Sequence, residues 1–246
     1  MKGIILAAGY ATRLYPLTKD FPKALLTIGG RAIMDYICDE LDTIDEIDEI
    51  LVVSNHKFID HFLSWVQKRS GVKKIKIVDD GSTSEENRLG AIGDIVYVLD
   101  SENVQEDVLI IAGDNFFTYS LKGFYDYYKK VRSDCIAVCE IDSIEDLRRM
   151  GVVQLDQEGR VADFVEKPEN PASNIAVYAS YIYCRDTLPL FHTYLQEGNK
   201  PDAPGYFPAW LYKRKSIYAY SFEGECYDIG THESLAEVRR RYEAGL

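Results

Sequence analysis

No stretch of this 246-residue chain reaches the ~18 consecutive apolar residues that a membrane-spanning helix needs. The short apolar run in MKGIILAAGY passes directly into a turn and Arg13, so it reads as a buried strand rather than a secretion signal. Cysteine is sparse and unpaired in pattern. The five residues Cys38, Cys135, Cys139, Cys184 and Cys226 include no CxxC pair, and His56, His61, His192 and His232 do not supply the spacing of a zinc site. Reduced thiols in a cytoplasmic protein are the expectation. Basic residues are in the minority, 28 Lys+Arg against 40 Asp+Glu for a net charge of −12. That balance speaks against a general nucleic-acid binder, but local cations or a metal can still hold a polyanionic small molecule. The glycine pattern of a Walker A loop is missing. So is that of a dinucleotide fingerprint, because Gly9 is followed by Ala11 and Leu14 at the positions where glycines would stand. A nicotinamide oxidoreductase is disfavoured on that ground. Internal repeats and low-complexity tracts are absent, and without hexapeptide repeats no left-handed β-helix is expected.

What is present is an ordinary globular composition, 46% hydrophobic and 28% charged, on a length that suits one large α/β domain. Strand-like runs are expected at Gly3–Ala7, Glu49–Ser54, Val72–Val78, Asp107–Ala112 and Cys135–Ile141. Helix-period segments fall between them at Arg31–Leu41, Lys57–Arg69, Gly90–Leu99 and Leu121–Val131. This alternation predicts βαβ units and a Rossmann-like, mixed but mainly parallel sheet flanked by helices. Beyond about residue 142 the strands crowd together at Val152–Leu155, Val161–Glu166 and Val177–Cys184, with a turn at Gln157–Gly159. An antiparallel extension is expected there, followed by helices near Thr187–Gln196 and Phe207–Lys213. Strands near Ser216–Phe222 and Cys226–Ile229 come next, and then a helix from His232 to Tyr242 capped by Thr231. Asn199–Gly205 (NKPDAPG) reads as a surface loop. A single domain over residues 1–246 is expected, with halves meeting near residue 140.

Four segments carry chemistry. In LAAGYATRLYPLTKDFPKALL, Leu6 to Leu26, a strand ends in small residues that let backbone approach a ligand, and Arg13 and Lys23 add two cations on a loop stiffened by Pro16 and Pro22. In IIAGDNFF, Asp114 stands at the carboxyl end of an apolar strand, where α/β sheets present ligands and where a carboxylate suits a hard cation or caps a turn. In CYDIGTHESL, Asp228 stands at a second strand end and could complete a site begun by Asp114. In FVEKPEN, Glu166 and Lys167 are adjacent charges at a strand end. Neighbours on a regular strand point to opposite faces, so they share a ligand only if the strand is irregular there.

Taken in order, LAAG, TRL-x-PLT, PK-x-L, GDN, the Gly151 strand start, EKP and D-x-GTHESL resemble the sugar-1-phosphate nucleotidylyltransferases, closest to the glucose-1-phosphate thymidylyltransferase type. The resemblance runs from Met1 to about Val238. It implies a glycosyltransferase-A-like nucleotidyltransferase fold with a nucleotide-binding half (about 1–140) and a sugar-binding half (about 141–246). It also implies Mg²⁺-dependent transfer of a nucleoside monophosphate from a triphosphate to a sugar 1-phosphate, with dTTP or UTP and glucose 1-phosphate as the first expectation. The resemblance assigns nucleotide contacts to Leu6, Ala7, Ala8, Gly9 and Arg13, and to Gly81 and Gly90 near the base. Arg13, Lys23 and Asp114 become catalytic, Asp114 and Asp228 metal ligands, and Asn115, Gly151, Glu166, Lys167 and Tyr178 sugar contacts, with Asn174–Tyr178 completing the pocket. No nucleic acid or membrane partner is implied, and a homo-oligomer is possible.

Two departures from the family pattern stand out. Ala11 replaces a turn glycine, which is tolerated if its φ is negative. The segment Asp79–Ile95 lacks the glutamine that thymidylyl and uridylyl enzymes carry, leaving the nucleobase open. Phosphocholine cytidylyltransferases, which share the front half, and a non-catalytic nucleotide-sugar sensor are the competing readings.

Overall fold

The computed structural model describes residues 1–245. In chain order the elements are β1 (Lys2–Leu6), β2 (Thr27–Ile28), β3 (Arg31–Ala32), α1 (Ile33–Asp42), β4 (Glu49–Ser54), α2 (Ile59–Lys68) and β5 (Lys74–Asp79). Next come α3 (Ala91–Ser101), β6 (Val108–Ala112), β7 (Asn115–Phe117), α4 (Leu121–Val131), β8 (Asp134–Glu140) and α5 (Ile144–Leu147). The chain continues through β9 (Gly151–Leu155), β10 (Val161–Glu166), β11 (Ile175–Tyr183), α6 (Leu188–Gln196), α7 (Tyr206–Leu211), β12 (Ile217–Ser221), β13 (Cys226–Asp228) and α8 (His232–Glu243).

The strands β6, β1, β4 and β5 form the parallel half of a nine-stranded sheet. Their continuous apolar runs follow from burial on both faces. Ile5, Ile50, Val52, Leu109 and Ile111 pack into one core layer, while the alternating Ile4, Leu51, Val53, Val108 and Ile110 pack into the other. Each such side chain contributes roughly 1.5–3 kcal/mol by leaving water. The layer on the first face is closed by α1, α4 and α8, and the layer on the second by α3, α6 and α7. The helix ends are chemically marked. The Thr231 hydroxyl accepts from the amide of Ser234 at 3.2 Å to start α8, which ends with Arg240 and Arg241.

The second half of the sheet hangs on β11. Its carboxyl-terminal residues Ser180–Tyr183 pair antiparallel with β6, and along the same edge Ala176 and Val177 pair with β9, which in turn carries β10. On its other edge β11 pairs with β8, which takes β12 in parallel. The β8 register breaks between Tyr178 and Tyr181, a bulge at the point where β11 passes from one neighbour to the other. The antiparallel extension expected beyond residue 142 is therefore present. Among the described residues no helix is long and apolar enough to cross a membrane.

Three local features differ from expectation. Arg31 and Ala32 form a hairpin strand with β2 instead of the first turn of a helix. The residues just after Asp114 form an unexpected strand, β7, which pairs antiparallel with β13, the strand expected at Cys226–Ile229. Asn199–Gly205 is no detached surface loop, since the carbonyls of Pro201 and Asp202 accept from the amides of Ile92 and Ala91 at the start of α3.

Candidate active site

A cleft of about 550 Å³ opens at the carboxyl ends of β1 and β6 and runs to the β9–β11 side. Leu6, Ala7, Ala8 and Gly9 form one wall. The backbone there is rigidly held. The Ala7 amide donates to Val53, the Leu6 carbonyl accepts from Gly113, and the buried Asn55 side chain donates to the Ala8 carbonyl at 2.9 Å. A Cβ on Gly9 would meet no protein atom within 4 Å, so its bareness leaves backbone open toward the cleft.

The turn that follows delivers Arg13. Ala11 adopts φ 48° and ψ 44°, the left-handed region, contrary to the negative φ expected for a residue replacing glycine. The hydroxyl of fully buried Thr18 donates to its carbonyl at 2.7 Å and fixes the conformation. The Arg13 guanidinium lies against Gly230: a Cβ there would stand 3.3 Å from one of its nitrogens and 3.5 Å from Asp228 Oδ2. The glycine after Asp228 thus makes room for an arginine–carboxylate neighbourhood.

Lys23 is only 8% exposed, and its ammonium sits between two carboxylates, 2.7 Å from Asp114 Oδ2 and 3.4 Å from Asp228 Oδ1. Burial alone would depress its pKa. The charges of Asp114 and then Asp228 outweigh burial and raise it above the ordinary lysine value. Asp228 is pushed up by desolvation and by the like charge of Asp114, with Lys23 and Arg13 opposing. The β7–β13 ribbon causes this proximity, since it pairs Asn115 with Asp228 and so places Asp114, one residue earlier, at the same end.

Among the described residues no group of three or more His, Cys, Asp or Glu could hold a metal ion. Two adjoining carboxylates facing a cleft, their like charge opposed by Lys23 and Arg13, still fit Mg²⁺, which binds through one or two carboxylates and takes its other oxygens from water and phosphate.

At the far end of the cleft Lys167 has φ 52°, which ends β10 and breaks strand alternation, so Glu166 and Lys167 both line the cleft. Glu166 is gripped by two glycines. A Cβ on Gly151 would stand 3.0 Å from its Oε2, and one on Gly205 only 2.1 Å away. Burial raises its carboxyl pKa, with Lys167 opposing. Asn115, Gly151 and Tyr178 join the lining, Tyr178 from beside the β11 bulge.

Gly81 and Asn174 do not join it. The Gly81 amide turns back to Asp79 Oδ1 at 2.9 Å, and Asn174 donates to Glu140 at 3.2 Å. Sequence reasoning missed the opposite contributors. Asp202, Ala203 and Pro204 line the cleft from a segment read as plain loop, and Asp94 lines it from the buried side of α3. A polar residue between Ile92 and Ile95, on the stripe that faces the core, was the available signal for Asp94.

The cleft of this α/β protein brings two cations and two carboxylates together at the carboxyl ends of β1 and β6. The chain belongs to the nucleotidyl transferase family, whose pattern it matches over residues 2–245. It is 30% identical over 244 residues to a candidate mannose-1-phosphate guanyltransferase of Sulfolobus acidocaldarius, covering 97% of this chain and 62% of that one. It is 29% identical over 249 residues to a glucose-1-phosphate adenylyltransferase of Clostridium novyi, covering 96% of this chain and 65% of that one. The chain thus spans just under two thirds of the length of these relatives. A solved UDP-glucose pyrophosphorylase complexed with UDP-glucose shares the fold, with a TM-score of 0.82 at 23% identity over 100% of this chain and 99% of that one.

Proposed function

We propose that this chain transfers a nucleoside monophosphate from a nucleoside triphosphate to a sugar 1-phosphate, releasing pyrophosphate and forming a nucleotide sugar. The observation that carries the reading is the Lys23 ammonium held between Asp114 and Asp228 at the mouth of β1 and β6. In the proposed reaction a phosphate oxygen of the acceptor attacks the α-phosphorus, and the bond to the β-phosphate oxygen breaks in line. The protein's contribution is position and charge. The backbone of Leu6–Gly9 receives the nucleotide, and Arg13 neutralises the triphosphate and then the departing pyrophosphate. Lys23 turns toward the α-phosphate and the acceptor phosphate, drawing together two groups that repel. Asp114 and Asp228 would hold Mg²⁺, which when bound supplies Lewis-acid polarisation of the α-phosphate. Glu166, beside Asn115 and Gly151, accepts hydroxyl hydrogens from the sugar, and Lys167 faces its phosphate.

Glucose 1-phosphate is the first acceptor to try. The motif resemblance favours dTTP or UTP, whereas the sequence relatives carry the names of a guanyl- and an adenylyltransferase. Cysteines without disulfide partners suit the proposed cytoplasmic setting. The test is pyrophosphate release with Mg²⁺ from dTTP, UTP, CTP, GTP and ATP against a panel of sugar 1-phosphates and phosphocholine. Release that requires one triphosphate and one sugar 1-phosphate supports the proposal. Release with phosphocholine alone, or binding without release across the panel, overturns it.

A further inference from the structure

The segment Asn199–Gly205 runs from the start of α3 to Glu166, and it is tied at three places. The Asn199 side chain donates to the Tyr194 carbonyl at 2.9 Å, and the Lys200 carbonyl accepts from the Tyr194 hydroxyl at 2.7 Å, which fastens the segment to α6. Pro201 and Asp202 then lie against the start of α3. The Pro201 carbonyl accepts from the Ile92 amide at 2.9 Å, and the Asp202 carboxylate accepts from the Arg88 guanidinium at 2.9 Å. Gly90, which the motif resemblance assigns to the base, makes room for them. A Cβ there would stand 2.8 Å from the Pro201 carbonyl oxygen and 3.1 Å from the Asp202 Cα. At the far end Gly205 packs against the Glu166 carboxylate and leads into α7, whose Phe207 stacks on Phe191 in the core.

The second and third ties are close in the chain. Asp202 and Gly205 are three residues apart (205 − 202), a reach of about 10 Å when fully extended. Pro204 fixes one of the φ angles between them. With so little slack, Asp202 cannot shift along α3 without moving Gly205 against Glu166. Glu166 has no stronger anchor. Among the described residues no hydrogen bond holds its carboxylate, and the close approach of Gly151 and Gly205 fixes its place.

Resting on the proposed nucleotidyl transfer, we infer that Arg88 and Asp202 are positioning residues for the acceptor: their ion pair, at the start of α3, sets where Glu166 meets the sugar at the far end of the cleft. Each acts through the other and through Gly205. The pair is half exposed, 44% for the Arg88 side chain and 53% for that of Asp202. An exposed pair adds little to stability, so its loss loosens the segment without unfolding the chain. A small misplacement of a group that orients substrate is nevertheless felt in the reaction.

The test is a double-mutant cycle on the full chain with Arg88→Ala, Asp202→Ala and the double variant. Acceptor KM is measured at saturating triphosphate with Mg²⁺, using the sugar 1-phosphate and triphosphate that release pyrophosphate in the panel above. Triphosphate affinity is measured by calorimetry. Each single variant is expected to raise acceptor KM about three- to fivefold, and the double variant no further than either single. In Asp202→Ala the triphosphate affinity is expected to stay within about twofold of wild type. Unchanged acceptor KM in the single variants overturns the inference. So do effects that multiply in the double variant, because each residue would then touch a substrate on its own account. Equal losses of acceptor and triphosphate binding in Asp202→Ala also overturn it, as a general loosening of the cleft. In these cases the transfer reading survives, whereas absence of pyrophosphate release with every pair of substrates removes the reading and the inference together.

Discussion

The backbone of Asn115 is paired with that of Asp228 across a two-stranded ribbon, joining positions 113 residues apart in the chain (228 − 115). That pairing brings Asp114 beside Asp228, and Lys23 fills the space between their carboxylates. Removing the ammonium leaves two like charges facing each other. Lys23→Ala is therefore expected to lower the transfer rate at least about tenfold, roughly 1.4 kcal/mol of barrier. Pyrophosphate release at saturating substrates measures it, and a smaller loss would remove Lys23 from the phosphate-bridging role.

The same geometry predicts that Asp114→Ala abolishes metal-stimulated turnover. Asp114 is the nearer of the two carboxylates to Lys23 and follows the end of β6 by two residues, a strand whose register with β1 is fixed by five residue pairs. Titrating Mg²⁺ against rate checks this. Unchanged turnover and unchanged metal dependence in the variant would show that the two-carboxylate site is wrongly assigned.

Ala11 holds the turn before Arg13 in the left-handed region, at φ 48°. For an L-residue with a Cβ that conformation costs roughly 1–2 kcal/mol, and glycine avoids the cost while losing about 0.5–1 kcal/mol to extra freedom of the unfolded chain. Ala11→Gly is expected to stabilise the protein by up to about 1 kcal/mol, and Ala11→Val to destabilise it by more than that. Urea unfolding of the three proteins gives the order. Valine tolerated without loss would mean that the turn relaxes away from positive φ.

Much of this was legible in the residues. The doubly buried strands announce themselves as EILVVS and VLIIA, because a sheet covered on both faces has no polar alternation to display. Asp114 and Asp228 stand out for the opposite reason, as charges that end apolar or aromatic runs. What stayed hidden depends on contacts between distant segments. The three-residue strand β7 is too short for any period to register, and so its pairing with β13 stays unseen. The sign of φ at Ala11 is set by the buried Thr18 hydroxyl seven residues on. The loop Asn199–Gly205 looks solvated by composition, yet its carbonyls complete the start of α3 and Gly205 presses on Glu166.

That contact at Gly205 has a measurable consequence. Its backbone φ is −69°, which any residue adopts, so a substitution there acts through space alone. A methyl group would stand 2.1 Å from Glu166 Oε2 and must displace the carboxylate. Gly205→Ala is expected to raise the acceptor KM roughly tenfold or more, since small misplacements of positioning groups carry large rate costs. Triphosphate affinity measured by calorimetry should stay unchanged. Equal losses for both substrates would indicate a general collapse of the cleft rather than a displaced Glu166.

Burial and the adjoining Asp80 carboxyl raise the pKa of Asp94, and the pair makes stability depend on pH in an unusual direction for a carboxylate. Its folded pKa, about 8 for Asp94, lies above the ordinary value of 3.8, so between those values the folded state holds a proton that the unfolded chain has released. The contribution is therefore fully favourable below about pH 4, declines as pH rises, and is exhausted above about pH 8. While the folded carboxyl remains protonated, the slope from one such group is at most about 1.4 kcal/mol per pH unit. Asp228 and Glu166, also raised by burial, add slopes of the same sign, so the wild-type curve alone does not isolate the pair. The difference between wild type and Asp94→Asn does, because the amide cannot titrate. Urea unfolding from pH 5 to pH 9 is expected to show the wild type losing stability relative to the variant as pH rises. A pH-independent difference between the two proteins would mean that Asp94 is already ionised in the folded state, with its charge met by a partner other than the proton shared with Asp80.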